Sequence, residues 1–206
     1  IEVVSGQRLD HFLQQEIFEP LQMKDTHFFL PLEKKDRLAK VYSSTQTGIK
    51  PADDPGKRVG VSMIGQGHYV VGPRISFSGG AGLLSTAEDF AIFLQMMLNE
   101  GKFGKKRILS RKSVELMTTN HIADIPFWSD GDGIRFGLGF ALIEQLGRRG
   151  MLGSIGEFSW GAAYNSTYWV DPNEEMVVVY LTQLLPALNI DDHDKIRALI
   201  YQSIID

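Results

Sequence analysis

The segment from Gly153 to Tyr164, which reads GSIGEFSWGAAY, carries the residues whose types best suit chemistry. Three small residues in a row, Gly161, Ala162 and Ala163, lie inside a stretch rich in aromatic side chains. Small residues in a strand let a ligand approach the backbone closely. The N–H groups of an exposed strand edge have fixed positions, and such donors can stabilise an oxyanion. The segment therefore predicts a strand edge beside a cleft in which a carbonyl group could react.

The elements around this segment predict an antiparallel sheet that is followed by a helix. The residue pattern favours strands over residues 136–143, 158–170 and 176–182, the last being the β-branched run MVVVYLT. Residues 171–173, Asp-Pro-Asn, are a turn signal between the second and third strands. Two strands joined by a tight turn run antiparallel. Strands grouped late in the chain, rather than alternating with helices, indicate an α+β fold.

Four segments have the apolar spacing of amphipathic helices. They begin after Ser5, at the capping box Ser85–Glu88, at Ser110 and within the acidic cluster 191–194. Pro20 is expected to end the first helix, and the side chains of Ile196, Leu199, Ile200 and Ile204 in the last helix are expected to face inward. Residues 36–78 show no periodicity, which predicts a long irregular region that is functional or packed around another part of the protein.

The composition excludes several classes of protein. With 43% apolar and 22% charged residues the chain is not disordered, and no apolar run is long enough to span a membrane. The net charge of −4 gives no electrostatic reason to expect nucleic acid as a partner. The absence of cysteine excludes a cysteine nucleophile, and the five histidines have no paired spacing for a metal. We therefore expect neither a metal nor a cofactor, and the sequence leaves the compartment undetermined.

Four segments resemble the β-lactamase-related family, which includes class C β-lactamases, D-Ala-D-Ala peptidases and esterases of one fold. Residues 5–23 look like its SG…IFxPLGM segment, with Gln22 where glycine is usual, and residues 80–89 look like its GGLxSTAxD helix start. Trp160-Gly161-Ala162 stands where the family has K-T-G, and residues 168–172 resemble the strand and turn that follow. The resemblance covers almost the whole chain. It implies part of one β-lactamase/transpeptidase-like domain over residues 1–206, mostly helical and irregular over 1–132, with antiparallel strands and a C-terminal helix over 133–206.

The resemblance also implies a mechanism. In the family, the serine of an S-x-x-K motif attacks the substrate with the help of its lysine and the tyrosine of a Y-x-N motif, and an acyl-enzyme forms. Neither motif occurs in this chain. In the family both lie upstream of the segment that matches residues 1–4, so we expect them to precede Ile1 in a longer protein; the chain also begins without methionine or a signal segment. This chain alone is accordingly expected to be inactive.

The family comparison assigns roles to five residues. The Ala163 amide would be an oxyanion donor, and Trp160, Gly161, Ala162 and Tyr164 would bind substrate. Trp160 replaces the lysine that binds a substrate carboxylate in β-lactamases and peptidases, which shifts the expectation toward neutral esters. The Ala162 methyl group, in place of the usual glycine, could crowd the cleft.

The resulting prediction is a serine hydrolase that acts on a small-molecule ester or amide through an acyl-serine intermediate. One alternative is a truncated or ligand-binding relative without catalysis. Another is a penicillin-binding peptidase in which Arg148 or Arg149 replaces the missing lysine. A partial sheet would also expose an edge strand, which predicts self-association or a partner segment that completes the sheet.

Overall fold

The computed structural model describes residues 1–59, 62–65, 67, 70, 77–128 and 132–205. The chain divides into two units. The first comprises Ile1–Phe93, Ala163–Ser166 and Leu181–Leu188, and the second comprises Leu94–Ala162, Thr167–Tyr180 and Asn189–Asp206. The expectation that residues 1–206 are one portion of a single β-lactamase-like domain stays a prediction.

Helices and strands both contribute, as the α+β expectation requires. The α-helices of the described residues are α1 (Glu2–Ser5), α2 (Leu9–Leu13), α3 (Glu19–Leu21), α4 (Ala87–Leu98), α5 (Arg111–Met117), α6 (Leu146–Arg149) and α7 (Asp192–Tyr201). A π-helical turn, Gln14–Phe18, joins α2 to α3, and a 3₁₀ helix covers Leu32–Arg37. The strands are β1 (Tyr42–Thr45), β2 (Gly48–Pro51), β3 (Lys57–Val59), β4 (Ser62–Ile64), β5 (Lys102–Phe103), β6 (Lys106–Arg107), β7 (Ile134–Phe136), β8 (Ala141–Ile143), β9 (Phe158–Gly161), β10 (Thr167–Asp171) and β11 (Met176–Tyr180).

The first predicted helix is present but differs at both ends. The carboxylate of Glu2, rather than Ser5, accepts the N–H of Leu9 where α2 begins, at 2.9 Å. Pro20 does not end the helix, because it lies in the first turn of α3, where a missing N–H is tolerated. The helix ends at Leu21, and Gln22 takes a left-handed conformation with φ of 60°.

The start of α4 corrects the predicted capping box by one residue. The hydroxyl of Thr86, not that of Ser85, accepts the N–H of Asp89 at 3.1 Å. The Asp89 carboxylate in turn accepts the N–H of Asp25 at 2.7 Å and the hydroxyl of Thr26 at 2.9 Å, all within the first unit. The cap thus anchors the segment that carries Asp25. Helix α5 begins as predicted, with the Ser110 hydroxyl accepting the Ser113 amide.

A five-stranded antiparallel sheet with the order β11-β10-β9-β8-β7 lies in the second unit. Two of the three predicted strands are each two strands. Residues 137–140 form a loop between β7 and β8, and residues 162–166 form a turn between β9 and β10. The carbonyl of Met117 lies where a Cβ on Gly137 would be, so the chain leaves β7 at a position that requires glycine. The predicted antiparallel pair on either side of the 171–173 turn is confirmed.

Helix α7 covers one face of this sheet. Its expected apolar face is only partly correct, because Leu199 is 68% exposed and the buried residue of the helix is Arg197. The ring of Tyr201 stacks on Trp169 of β10 at 6.4 Å between centroids. The buried residue of α7 is therefore a charged one that the predicted apolar face did not include.

The described part of the region expected to be irregular contains two short hairpins. Strands β1 and β2 pair antiparallel, as do β3 and β4. In the first unit, β1 also lies against residues 183–186, where the Tyr42 N–H donates to the Gln183 carbonyl at 2.8 Å and the Ser43 hydroxyl donates to the Leu185 carbonyl at 2.6 Å.

Candidate active site

Two of the predicted site residues are the last two residues of β9. Trp160 lies opposite Tyr168 of β10, and Gly161 lies opposite Thr167. Because side chains alternate along a strand, Trp160 and Tyr168 share one face of the sheet. Trp160 is half-buried and Gly161 is exposed. The backbone at the end of β9 is therefore open to solvent beside a fixed indole ring.

The next three residues form the start of the turn after β9. Ala162 and Ala163 are exposed, and among the described residues no acceptor takes the Ala163 N–H. Tyr164 is half-buried; its hydroxyl donates to the Gly65 carbonyl at 3.4 Å, and its own carbonyl accepts the Leu184 N–H at 3.1 Å. The polar groups of Tyr164 thus hold the turn, and the catalytic and binding roles of all three residues stay predictions.

A cavity of about 300 Å³ opens within the second unit beside the end of β9. Its walls come from strands β7 to β10, from helices α6 and α7, and from Trp128 ahead of β7. Of the five predicted residues, Trp160 and Gly161 line it, whereas Ala162, Ala163 and Tyr164 do not. A cavity of this size suits a small organic group rather than a whole polymer segment.

One of the two arginines proposed from the sequence as a substitute cation reaches this cavity. Arg149, the last residue of α6, is half-buried and lines the wall, while Arg148 is exposed and does not. Helix α6 ends at Gly150 with φ of 67°, a left-handed conformation that glycine adopts without strain.

Two other charged groups of the wall, Arg197 and Glu157, are paired with each other. Arg197 of α7 forms an ion pair with Glu157, and the Tyr201 hydroxyl lies 2.8 Å from Glu157 Oε2 and 2.7 Å from Asp171 Oδ2. Burial raises the pKa of Glu157, while the hydrogen bond from Arg197 lowers it. Burial also raises the pKa of the Tyr168 phenol, so that side chain stays neutral at physiological pH.

Sequence reasoning missed an aromatic cluster around Trp160. Phe127, Trp128 and Phe136 each lie with their ring centroids within 6 Å of the Trp160 ring, at 5.7, 5.9 and 5.4 Å. These residues are separated from Trp160 by more than twenty positions, so no local spacing could reveal the cluster. The adjacent aromatic pair 127–128, just ahead of a strand, was the one available signal.

Two further observations concern metal binding and membrane spanning. Within the described ranges, no group of three or more His, Asp or Glu side chains is placed to hold a metal ion. In the same part of the chain, every helix is too short or too polar to cross a bilayer.

The fold and motifs agree with a family model. The model described as Beta-lactamase matches residues 1–202, nearly the whole chain. This chain belongs to the Beta-lactamase family. The resemblance seen in the sequence is thereby confirmed.

Two relatives and one solved structure illustrate the likeness. Protein Rv1367c of Mycobacterium tuberculosis (strain H37Rv) is 30% identical over 195 residues, covering 89% of this chain and 45% of the relative. A relative from Escherichia coli O157:H7, provisionally named a D-alanyl-D-alanine carboxypeptidase, is 29% identical over 195 residues, with coverages of 88% and 41%. The structure of EstCE1, described as a hydrolase with promiscuous acyltransferase activity, superposes with a TM-score of 0.79 at 24% identity and covers 97% of this chain and 52% of that one.

The Beta-lactamase family chain thus has the mixed helix and antiparallel sheet fold of the family's hydrolases. It spans less than half the length of the curated relatives that it matches. The substrate and mechanism of the whole protein are consequently matters for proposal.

Proposed function

We propose that this chain is part of a serine hydrolase that cleaves an ester or amide through an acyl-serine intermediate, with a preference for neutral esters. The observation that carries the proposal is the end of β9, where Trp160 and the exposed Gly161 are the last strand residues and the exposed Ala162 and Ala163 begin the turn that follows. The Ala163 N–H, which has no acceptor among the described residues, is the kind of donor that an oxyanion site needs.

The proposed chemistry follows from that donor. A serine oxygen adds to the substrate carbonyl, its proton passes to a base, and the carbonyl oxygen becomes negatively charged. The Ala163 N–H donates to that oxygen. Collapse of the intermediate expels the alcohol or amine, which takes a proton, and leaves the acyl-serine; water then adds by the same route and releases the acid. To residues 1–206 we assign two parts of this mechanism, the oxyanion donor and the wall that contacts the substrate.

The indole of Trp160 favours a neutral ester as the substrate over a β-lactam or a peptide that carries a carboxylate. An indole carries no charge and offers one N–H donor, so it cannot form an ion pair with a carboxylate as a lysine does. A flat apolar wall in that position favours an uncharged group.

The nucleophile is proposed to come from a part of the same protein outside these 206 residues. No serine of the chain is followed by lysine three positions later, and no tyrosine is followed by asparagine two positions later. The curated relatives are more than twice the length of the matched region, which leaves room for such a segment.

Labelling with a fluorophosphonate, which reacts with activated serines, tests this proposal. The native protein that carries this chain is expected to be labelled, with the modified serine mapped by peptide mass spectrometry outside residues 1–206. The 206-residue chain alone is expected to stay unlabelled. A labelled serine within residues 1–206 would overturn the assignment, and absence of any label in the native protein would favour a ligand-binding relative without catalysis.

The oxyanion role has its own test in the native protein. Ala163→Pro removes the N–H, and loss of one such donor is expected to lower kcat by about 10²- to 10³-fold. Ala163→Gly keeps the N–H and is the matched control, expected to stay near the starting rate. Equal rates for the two variants, both folded by circular dichroism, would contradict the donor role.

The position of Arg149 favours a second candidate, a penicillin-binding peptidase. Arg149 lines the same cavity as Trp160, and a guanidinium group binds carboxylates well. Covalent penicillin binding by the native protein that is lost in Arg149→Gln, but kept in Arg148→Gln, would support this candidate over the esterase.

A further inference from the structure

Trp128 and Trp160 form the exposed part of a four-ring cluster in the second unit. Their rings stack with centroids 5.9 Å apart and an interplanar angle of 18°. Phe127 supports both, with its centroid 4.7 Å from Trp128 and 5.7 Å from Trp160. Phe136 of β7 stacks on Phe127 at 4.7 Å and meets Trp160 edge-on at 5.4 Å. We call these four residues the aromatic shelf.

Most of the Trp128 side chain remains in solvent. It is 68% exposed, although the other three rings of the shelf are half-buried. Tryptophan is highly buried on average, because leaving its large apolar surface in water is unfavourable. A ring that contacts its neighbours yet keeps most of its surface in solvent has area available for a ligand.

Hydrogen bonds fix the backbone that carries Trp128. Asp132 Oδ2 accepts the Trp128 N–H at 3.0 Å, and Asp132 Oδ1 accepts the N–H of Ile134, the first residue of β7, at 2.9 Å. One carboxylate thus ties the residue that bears the exposed indole to the first residue of a strand. The shelf is held in place before any ligand arrives, which lowers the entropic cost of binding.

We infer that the aromatic shelf binds the planar aromatic group of a neutral ester substrate, and that Trp128 is a specificity-determining residue. This inference rests on the proposed function for its ester, but the binding itself needs no catalysis. Trp128 and Trp160 both line the cavity of about 300 Å³, so a ring that stacks on the shelf would extend into it. Aromatic faces prefer offset-stacked or edge-on partners, which selects planar rings over branched alkyl groups.

Tryptophan fluorescence provides a direct test, because two of the three tryptophans belong to the shelf. The protein is titrated with 1-methoxynaphthalene, a neutral ether that cannot be hydrolysed, and with methoxycyclohexane as a non-planar comparison. We expect saturable quenching by the naphthyl ether and weaker binding of the cyclohexyl ether. Trp128→Ala should weaken naphthyl binding about tenfold, and Trp128→Phe should restore most of it.

Leu199→Ala is the matched control, because Leu199 in the same unit is also 68% exposed but lies on α7 away from the shelf residues. It should leave naphthyl binding unchanged. Equal affinity of the starting protein and Trp128→Ala for 1-methoxynaphthalene would overturn the inference. Preferential binding of phenyltrimethylammonium over the neutral ether would overturn the assignment of a neutral ligand, since indole faces also attract cations.

Kinetics of the native protein separate this inference from the proposed function. If the esterase proposal holds, Trp128→Ala should raise KM for 1-naphthyl acetate about tenfold while leaving kcat and the KM for ethyl acetate nearly unchanged. Esterase activity with equal KM changes for both esters would overturn the inference that the aromatic shelf binds the substrate and would leave the proposed function standing. Naphthyl binding that depends on Trp128, without any esterase activity, would support the aromatic shelf as a binding site and overturn the proposed function.

Discussion

Arg197 and Glu157 form an ion pair that solvent hardly reaches, with side-chain exposures of 9% and 1%. The Tyr201 hydroxyl lies within hydrogen-bonding distance of the same carboxylate, and Arg197 Nε donates to the Leu152 carbonyl at 2.6 Å. A Cβ on Gly153 would collide with the Arg197 guanidinium, so glycine lets the backbone approach the pair. This pair attaches α7 to the segment that leads into β9, and it therefore positions the strand that carries Trp160.

Replacement of Arg197 by alanine is expected to destabilise the protein by about 3–5 kcal/mol, because it leaves the Glu157 charge buried without a partner. The free energy of unfolding in urea measures this cost. Glu157→Gln/Arg197→Met removes both charges and should recover a large part of the lost stability. A change of less than about 1 kcal/mol in Arg197→Ala would show that the pair contributes little.

The same variant should have an unusual dependence on pH. Burial raises the pKa of Glu157, and in Arg197→Ala the opposing hydrogen bond is gone, so its pKa rises further. A carboxyl group with a raised folded-state pKa contributes stability below its unfolded pKa of about 4.3, and this contribution is lost as pH rises through the folded-state pKa. The destabilisation by Arg197→Ala should therefore shrink between pH 7.5 and 4.5. In the Glu157→Gln background, which lacks the titrating group, it should not.

In the first unit, Asp25 should produce the opposite pH dependence. Bidentate hydrogen bonds from Arg37, both 2.7 Å long, and an ion pair with Lys34 at 2.9 Å hold the pKa of Asp25 well below its usual range. The stability it contributes is present above the unfolded pKa of about 3.9 and is lost as pH falls below it. Asp25→Asn should cost about 0.5–1 kcal/mol at neutral pH and flatten the acid loss of stability between pH 5 and 2.5.

Asp53→Asn serves as the comparison for Asp25→Asn. Asp53 pairs with Lys57 at 2.8 Å, but its side chain is 55% exposed, so solvent screens the pair. Chemical denaturation at a series of pH values should show a smaller change of slope for Asp53→Asn. Equal slopes in both variants would mean that Asp25 is not the main carboxylate of the acid transition.

The sequence predicted the fold class, the four main helices and the antiparallel sheet, because each depends on local periodicity or on turn residues. It missed that residues 136–143 are two strands, since the close approach of Met117 that requires Gly137 is a tertiary contact. It assigned Leu199 to the interior because apolar spacing alone cannot show that the buried position of α7 belongs to Arg197 and its partner Glu157.

The residues of the candidate site likewise divide into those that the local sequence indicates and those that only tertiary contacts reveal. The sequence predicts the segment Trp160–Ala163 as a site from its residue types and its resemblance to a family, and the roles of these residues stay predictions. The sequence did not indicate Trp128, because its ring stacks on that of Trp160, which lies 32 positions away in the chain.

A lysine at the Trp160 position should change the preferred substrate of the native protein. Trp160→Lys introduces the cation that the family uses for carboxylates and removes a ring of the aromatic shelf. We expect stronger binding of carboxylate-bearing substrates and an increase of about tenfold or more in KM for 1-naphthyl acetate. Trp160→Phe keeps an uncharged ring and should retain the ester preference. Identical substrate profiles for the two variants would show that this position does not control charge selectivity.

The β11 edge carries the last prediction, which concerns assembly. Strand β11 ends the sheet, pairs with β10 alone among the described strands, and contains only Met, Val and Tyr over residues 176–180. An apolar edge without charges invites pairing with another strand. We propose that this edge pairs with a second copy or with another segment of the native protein, so the 206-residue chain alone should associate as its concentration rises in light scattering. Val178→Lys should suppress this association, whereas Ile49→Lys, on an exposed hairpin of the first unit, should not. A chain that stays monomeric at all concentrations would count against pairing between copies, and no gain in monomer from Val178→Lys would place the association elsewhere.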